Sequence, residues 1–185
     1  MGKLAVFDFI SLNGFYKGNN GDLSWAHGDE ETDAFAIESN KEGGILLFGR
    51  VTYEMMASFW PTPYAQQVNA AMAEGMNRAE KIVFSTTLEK AEWENTRIVK
   101  DDIVGEIKML KQIKGKDMAI LGSGSIVNQL TEAGLIDEYQ IMIHPVLLNG
   151  GTPILNGITR KLNLKLVSSR IFKSGKVLLC YVPVE

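Results

Sequence analysis

The stretch Ala119-Ile120-Leu121-Gly122-Ser123-Gly124-Ser125-Ile126-Val127-Asn128-Gln129-Leu130 reads as an apolar strand that empties through two glycines into an apolar-periodic helix. Glycines at such a turn let the backbone approach a pyrophosphate closely, and the free N–H groups and positive dipole end of the new helix favour the anion. A Gly-x-Gly at a strand-to-helix turn is as often turn chemistry alone, and Asn128 stands near where the third glycine of a dinucleotide fingerprint would fall. A second turn of the same kind lies upstream. There the short strand Ile45 to Phe48 runs through Gly49-Arg50-Val51-Thr52 into a helical stretch around Tyr53, Met55, Met56 and Phe59 that stops at Pro61.

Outward from these two turns, the chain alternates strands with helices and then ends in strands. Leu4 to Ile10 is a strand whose apolar run is interrupted by Asp8. The segment Ser11 to Gly28 carries too many glycines and asparagines for a regular element and is expected to be a long functional loop. Asp29 to Lys41 suits a helix opened by acidic residues, ended by Gly43-Gly44. Gln66 to Arg78 is a short helix or loop excursion, and Lys81 to Ser85 and Thr96 to Lys100 are strands. Asp101 or Asp102 caps a helix carrying Ile103, Ile107, Leu110 and Ile113 that Gly115 stops before the strand Met118 to Leu121. The helix Ser125 to Ala133 ends at Gly134. Beyond it come Glu138 to Pro145, a break around Asn149-Gly150-Gly151, and a hairpin of Lys165 to Phe172 with Lys176 to Pro183. The pattern implies an α/β fold with a mixed sheet covered by helices on its faces.

With 185 residues, 45% of them hydrophobic and 22% charged, one domain spanning 1–185 is expected. The net charge of −3 and scattered Lys and Arg offer no basic stripe for a nucleic acid. No apolar stretch approaches the roughly 18–20 residues that span a bilayer, and no leader is evident, so the expected location is the cytoplasm. Cys180, set among Val177, Leu178, Leu179, Tyr181 and Val182, reads as a small buried side chain. His27 and His144 have no metal-ligand spacing, and His144 before Pro145 suits a hydrogen-bonded sheet histidine. No metal is expected.

Five motifs in order carry a family likeness: Ser11-Leu12-Asn13-Gly14; Leu47-Phe48-Gly49-Arg50-Val51-Thr52-Tyr53-Glu54; Val83-Phe84-Ser85-Thr86-Thr87-Leu88; Ile120-Leu121-Gly122-Ser123-Gly124; and Asp137-Glu138 before Pro145-Val146-Leu147-Leu148. Over nearly its whole length the chain resembles the dihydrofolate-reductase-like superfamily. Within it the likeness is greater to the reductase domain of bacterial riboflavin biosynthesis and its stand-alone relatives than to true dihydrofolate reductase. The resemblance implies a three-layer fold with an eight-stranded, mainly parallel sheet, an antiparallel C-terminal edge, and NADPH bound across the carboxyl ends of the strands. It implies that Gly49, Arg50 and Thr52 form one phosphate turn, with Arg50 clamping the 2′-phosphate. Ser85 and Thr86 would touch the adenosine phosphate region, and Leu121, Gly122, Ser123, Gly124 and Ser125 would form the second phosphate turn. Asn13 and Gly14 would belong to a segment that closes over the nicotinamide, with Trp25 in its apolar wall, and riboflavin-type relatives suggest a homodimer.

Proton supply is harder to read. Asp33 falls at the spacing where true dihydrofolate reductases carry the carboxylate that binds the pterin ring, followed by Phe35 and Ile37, and is the candidate acid. Asp29, Glu30, Glu31 and Asp33 equally make an exposed, dipole-complementing first turn. Asp8, inside its apolar strand, is the alternative carboxylate. Met55, Met56, Phe59 and Trp60 read as helix packing. The expectation is an NADPH-dependent reductase of a small pterin- or pyrimidine-like molecule. The alternatives are a non-catalytic nucleotide-binding protein on the same fold and, below that, an NAD-using dehydrogenase.

Overall fold

The computed structural model describes residues 1–39 and 43–184. In chain order the elements are β1 (Leu4–Ser11), β2 (Phe15–Gly18), α1 (Glu30–Ser39), β3 (Ile45–Gly49), α2 (Arg50–Phe59), α3 (Pro63–Val68), α4 (Ala70–Arg78), β4 (Glu80–Phe84) and β5 (Thr96–Val99). They continue with α5 (Ile103–Lys111), β6 (Met118–Leu121), α6 (Gly124–Glu132), β7 (Glu138–His144), β8 (Gly151–Pro153), β9 (Asn163–Ile171) and β10 (Val177–Val184). The expected end of the first helix, at Lys41, lies outside the described residues.

Among the described residues, eight strands form one sheet in the order β5-β4-β3-β6-β1-β7-β10-β9. All pairs from β5 to β7 are parallel, whereas β10 runs antiparallel to both β7 and β9. This is the dihydrofolate-reductase-like sheet with its antiparallel C-terminal edge. Strand alternation divides the core between the two faces. Leu4 and Val6 of β1, Leu47 of β3 and Ile120 of β6 pack with Ile107 and Leu110 of α5 and Ile126, Val127 and Leu130 of α6. On the opposite face Leu46, Phe48 and Val83 meet Tyr53 of α2 and Met72 and Met76 of α4. Met142, Phe172, Leu178 and Cys180 form a third cluster, against which Phe7, Phe9 and Phe35 of α1 pack. Burying one such Leu or Phe side chain stabilises the fold by about 1.5–3 kcal/mol.

Four details differ from the sequence reading. The segment 11–28 contains β2, which pairs with β8 in a separate two-stranded ladder. At Gly151 a Cβ would meet the Lys17 carbonyl oxygen at 2.1 Å, so only glycine lets these short strands touch. The excursion after Pro61 is two helices, because Thr62 caps α3 through Ala65 N and Asn69 caps α4 through Met72 N. Asp102 does cap α5, through Gly105 N, but α5 ends at Lys111, leaving Ile113 beyond it. β4 begins one residue early, at Glu80, and ends at Phe84; the Lys81 that follows Glu80 is fully buried, and its ammonium donates to the carbonyls of Met76 (2.9 Å), Asn77 (3.1 Å) and Ala79 (2.7 Å), closing the C-terminal end of α4.

Candidate active site

β3 and β6 are neighbours in the sheet, so their two glycine turns lie side by side at the carboxyl ends of the strands. Gly49 precedes α2 and Ser123 precedes α6, and neither residue makes a side-chain cap. In α6 Ile126 N donates back to the Ser123 carbonyl at 2.8 Å, and the N–H groups ahead of it, like those that open α2, are left for another acceptor. Ser123, held at φ 63° and ψ 57°, turns its hydroxyl outward from its own helix, and Oγ accepts from Gly49 N at 2.8 Å. One hydroxyl thus ties the two turns together. Gly122 faces Thr52 across the gap, where a Cβ would lie 3.6 Å from Thr52 Cγ2. At Gly124 a Cβ would meet the Tyr16 ring and hydroxyl at 3.0 Å, so β2 lays an aromatic edge over the first residue of α6. Two adjacent, uncapped helix N-termini with close-fitting glycines fit the diphosphate of a dinucleotide.

The turns open into a cleft. Gly49, Arg50, Thr52, Ser85, Thr86, Leu121, Gly122, Ser123, Gly124, Ser125 and Asp33 all line it, as does Asp8. Arg50 is exposed and holds Glu54 one turn on, its Nη1 lying 3.0 Å and 2.9 Å from the two carboxylate oxygens. Such exposed pairs are worth about 0–1 kcal/mol, so a phosphate can exchange for Glu54 at small cost. Ser85 Oγ accepts from Leu88 N (2.9 Å) and Thr87 N (3.2 Å), shaping the turn after β4. Asn13 and Gly14 do not line the cleft. Asn13 instead clips the turn after β1 to the loop after β7, exchanging bonds with the N–H and carbonyl of Leu148 at 3.1 Å and 2.8 Å.

Asp33 sits on the cleft side of α1, half-buried. Its Oδ2 accepts from Asn69 Nδ2 at 3.2 Å, and its Oδ1 lies so near Gly28 that a Cβ there would come within 2.3 Å. Phe35 and Ala36 line the cleft with it, as do Met55 and Phe59 of α2; Met56 and Trp60 also pack against the core and Phe59 stands edge-on to Trp60, as helix packing requires. Asp8 is the more unusual carboxyl. It is 6% exposed, its Oδ2 has no hydrogen-bond partner among the described residues, and burial pushes it up to about 7 against a weaker pull from the Phe9 amide. The sequence signal for it was the single charge inside an apolar strand.

Trp25 is not part of the cleft wall. It is buried with its ring edge-on to His144 at 5.3 Å, and its Nε1 donates to the Asp22 carbonyl. His144, the last residue of β7 and paired with Ser11 of β1, packs its ring edge-on against Phe9 as well, and its Nε2 has no partner among the described residues. Burial, with the charges of Lys176 and His27 nearby, pushes its imidazole down to about 4. Lys176, also buried, donates to Asp29 Oδ2 (2.6 Å) and the His27 carbonyl (2.8 Å), which holds the Asp29 carboxyl well below its usual range. This polar knot anchors the loop before α1. Among the described residues no group of three or more His, Cys, Asp and Glu side chains forms a metal-holding cluster, and no helix is long and apolar enough to cross a membrane.

Comparison with known proteins places this geometry in a family. The model of the RibD C-terminal domain matches residues 3–178. The uncharacterized protein YyaP of Bacillus subtilis (strain 168) is 30% identical over 173 residues, covering 93% of this chain and 90% of its own. A protein of Shewanella sp. PV-4 ascribed to riboflavin biosynthesis has the same fold, with a TM-score of 0.77 at 23% identity over 99% of both chains. So does the dihydrofolate reductase of Enterococcus faecalis, solved with NADP(H), at a TM-score of 0.68 and 17% identity, covering all of this chain and 98% of that one.

Proposed function

The chain belongs to the RibD C-terminal domain family, and we propose that it is an NADPH-dependent reductase that passes hydride to a small heteroaromatic, pterin- or pyrimidine-like molecule. The family and its reductase-like neighbours support a reductase-type function. One observation carries it. The uncapped starts of α2 and α6, joined by the Ser123–Gly49 bond, form a paired anion cradle at the carboxyl ends of two adjacent parallel strands.

In this reading Thr52, Ser123, Gly124 and Ser125 hold the diphosphate through backbone N–H groups and hydroxyls, while Gly49, Leu121 and Gly122, whose glycine N–H groups are given to Ser123 Oγ and the Phe7 carbonyl, shape the two turns around it. Arg50 leaves Glu54 for the 2′-phosphate, which it can grip bidentately. Ser85 and Thr86 flank the adenosine end. Asn13 and Gly14 act at one remove, by fixing the segment that carries Tyr16 to Gly124. When bound, a reduced nicotinamide supplies hydride, and the chain supplies position and a water-poor cleft. Asp33, oriented by Asn69, binds a ring N–H or amino group of the substrate between Phe35, Met55 and Phe59.

We further read 1–185 as one domain, acting in the cytoplasm as a homodimer. Support for the dimer comes from β9, an edge strand exposed along its whole length, with Leu164, Leu166, Val167 and Ile171 open on it. Sedimentation of wild type and Val167→Lys tests the dimer. The reductase reading is tested by following NADPH and NADH oxidation with a panel of pterins, pyrimidines and folates, using wild type and Arg50→Ala. Turnover that prefers NADPH and loses that preference in Arg50→Ala is expected. Tight NADPH binding with no turnover on any of them would favour a nucleotide-binding protein on the same fold.

A further inference from the structure

The cofactor reading leaves one buried carboxyl unused, and it stands where the sheet opens. β1 and β6 pair from Leu4↔Met118 to Phe7↔Leu121, and there β6 ends. β1 continues to Ser11 paired with β7 alone. Gly122 N still reaches the Phe7 carbonyl at 3.3 Å, so Asp8 is the first residue of β1 beyond the last β6 pair, beside the second glycine turn. A ligand whose diphosphate rests on the β3 and β6 turns and whose far end runs toward β7 must pass this opening. Ligands of open parallel sheets characteristically bind outside the carboxyl ends of strands, at such breaks.

We infer that Asp8, not Asp33, is the catalytic residue that holds the proton for reduction at the nicotinamide end of this cleft. The inference rests on the cofactor reading above. Reducing a C=N bond adds a hydride to carbon and a proton to nitrogen. Asp8 gives up the proton held on its carboxyl, the nitrogen takes it as the π bond breaks, and the carboxylate recovers a proton from water. The two carboxyls divide the work by environment. Asp33 is half-exposed and partnered by Asn69, which suits binding; Asp8 is buried, with an unpartnered Oδ2, which suits a stored proton. Among the described residues no charged side chain sets its protonation. Burial dominates, the Phe9 amide opposes it, and the titratable group on the same face one pair back is Tyr139, paired with Val6 and bonded to Thr131.

A carboxyl at that place has a consequence that needs no substrate. Oxidised nicotinamide is a cation and reduced nicotinamide is neutral, so NADP+ ionises Asp8 on binding and NADPH does not. Both carry the same phosphates, and their difference isolates the ring. Calorimetric titration at pH 7 in buffers of different ionisation enthalpy counts the protons released. The expected result is about half a proton more for NADP+ than for NADPH, as follows for a group that titrates near 7. Asp8→Asn abolishes the difference and Asp33→Asn retains it. Equal release for the two cofactors by wild type overturns the role of Asp8 while leaving the cofactor site intact, and needs no variant to fold. A difference that survives in Asp8→Asn, or vanishes in Asp33→Asn, overturns it too. Failure of wild type to bind either cofactor removes the cofactor reading, and this inference with it.

Discussion

Replacing Asp8 by Asn removes a charge that the fold accommodates poorly, and the size of the effect follows from its setting. The carboxyl is 6% exposed and is raised from 3.8 to about 7 by burial. Below pH 3.8 it is protonated both folded and unfolded, and its contribution to stability is fully present. Between 3.8 and 7 the unfolded chain releases the proton and the fold keeps it, so stability falls as pH rises through that window and levels off above it. Each pH unit is worth 1.36 kcal/mol, which makes the loss about 4 kcal/mol across the window. Asn keeps the shape and an acceptor for the Phe9 amide but does not titrate. Urea unfolding of both proteins at pH 4 and pH 8 should therefore show Asp8→Asn gaining about 4 kcal/mol relative to wild type at the higher pH. That corresponds to roughly 8–16 °C in Tm for a domain of this size. Contributions from His144 and the other titrating groups are common to both proteins and cancel. Parallel pH profiles would mean that Asp8 ionises as an ordinary aspartate, and the account of its burial would be wrong.

Ser123→Ala leaves the half-buried Gly49 N–H without its acceptor and should lower stability by about 1–3 kcal/mol. It should also weaken NADPH binding, because the two turns lose their tie; thermal melts with and without NADPH read both effects. Lys81→Met recovers the cost of burying an ammonium but removes the donor to the Met76 and Ala79 carbonyls, while Asn77 keeps its bond from Asn95 Nδ2, for a net loss of about 2 kcal/mol. Urea midpoints check this, and a more stable Lys81→Met would refute the capping role.

How much was legible beforehand differed by element. β6 and β10 were readable because an apolar run meets a glycine or a polar turn, α6 because its apolar residues recur at helical spacing up to Gly134, and β9 because Lys173-Ser174-Gly175 marks the turn that joins it to β10. β2 and β8 were not. They are four and three residues long, lack an alternating pattern of their own, and exist because Gly151 lets Lys17 approach across a gap of more than a hundred residues. The α3–α4 break was written in Thr62, Pro63 and Asn69, whose capping bonds are local, but a run of helix-forming residues on either side masked it. In the candidate site the two glycine turns were legible one at a time. Their adjacency depends on β3 pairing with β6 far along the chain, Ile45 with Met118, and the Ser123–Gly49 bond follows only from that. The Arg50–Glu54 pair, at i and i+4 on α2, was implicit in the spacing. Asp8 shows the limit most clearly: its charge was visible in the strand, but its position one residue past the end of β6 is a matter of register, which no local pattern encodes.

The paired anion cradle stands or falls at Gly124. Titrating NADPH into wild type and Gly124→Val, with energy transfer from tryptophan to the bound dihydronicotinamide as the signal, asks whether that cradle holds the cofactor. A Cβ at this position meets Tyr16 at 3.0 Å and crowds the first turn of α6. Saturable binding by wild type, with affinity reduced at least tenfold in a folded Gly124→Val, is the predicted result. No binding by wild type, or equal binding by both, would contradict it and leave the two glycine turns as structure alone.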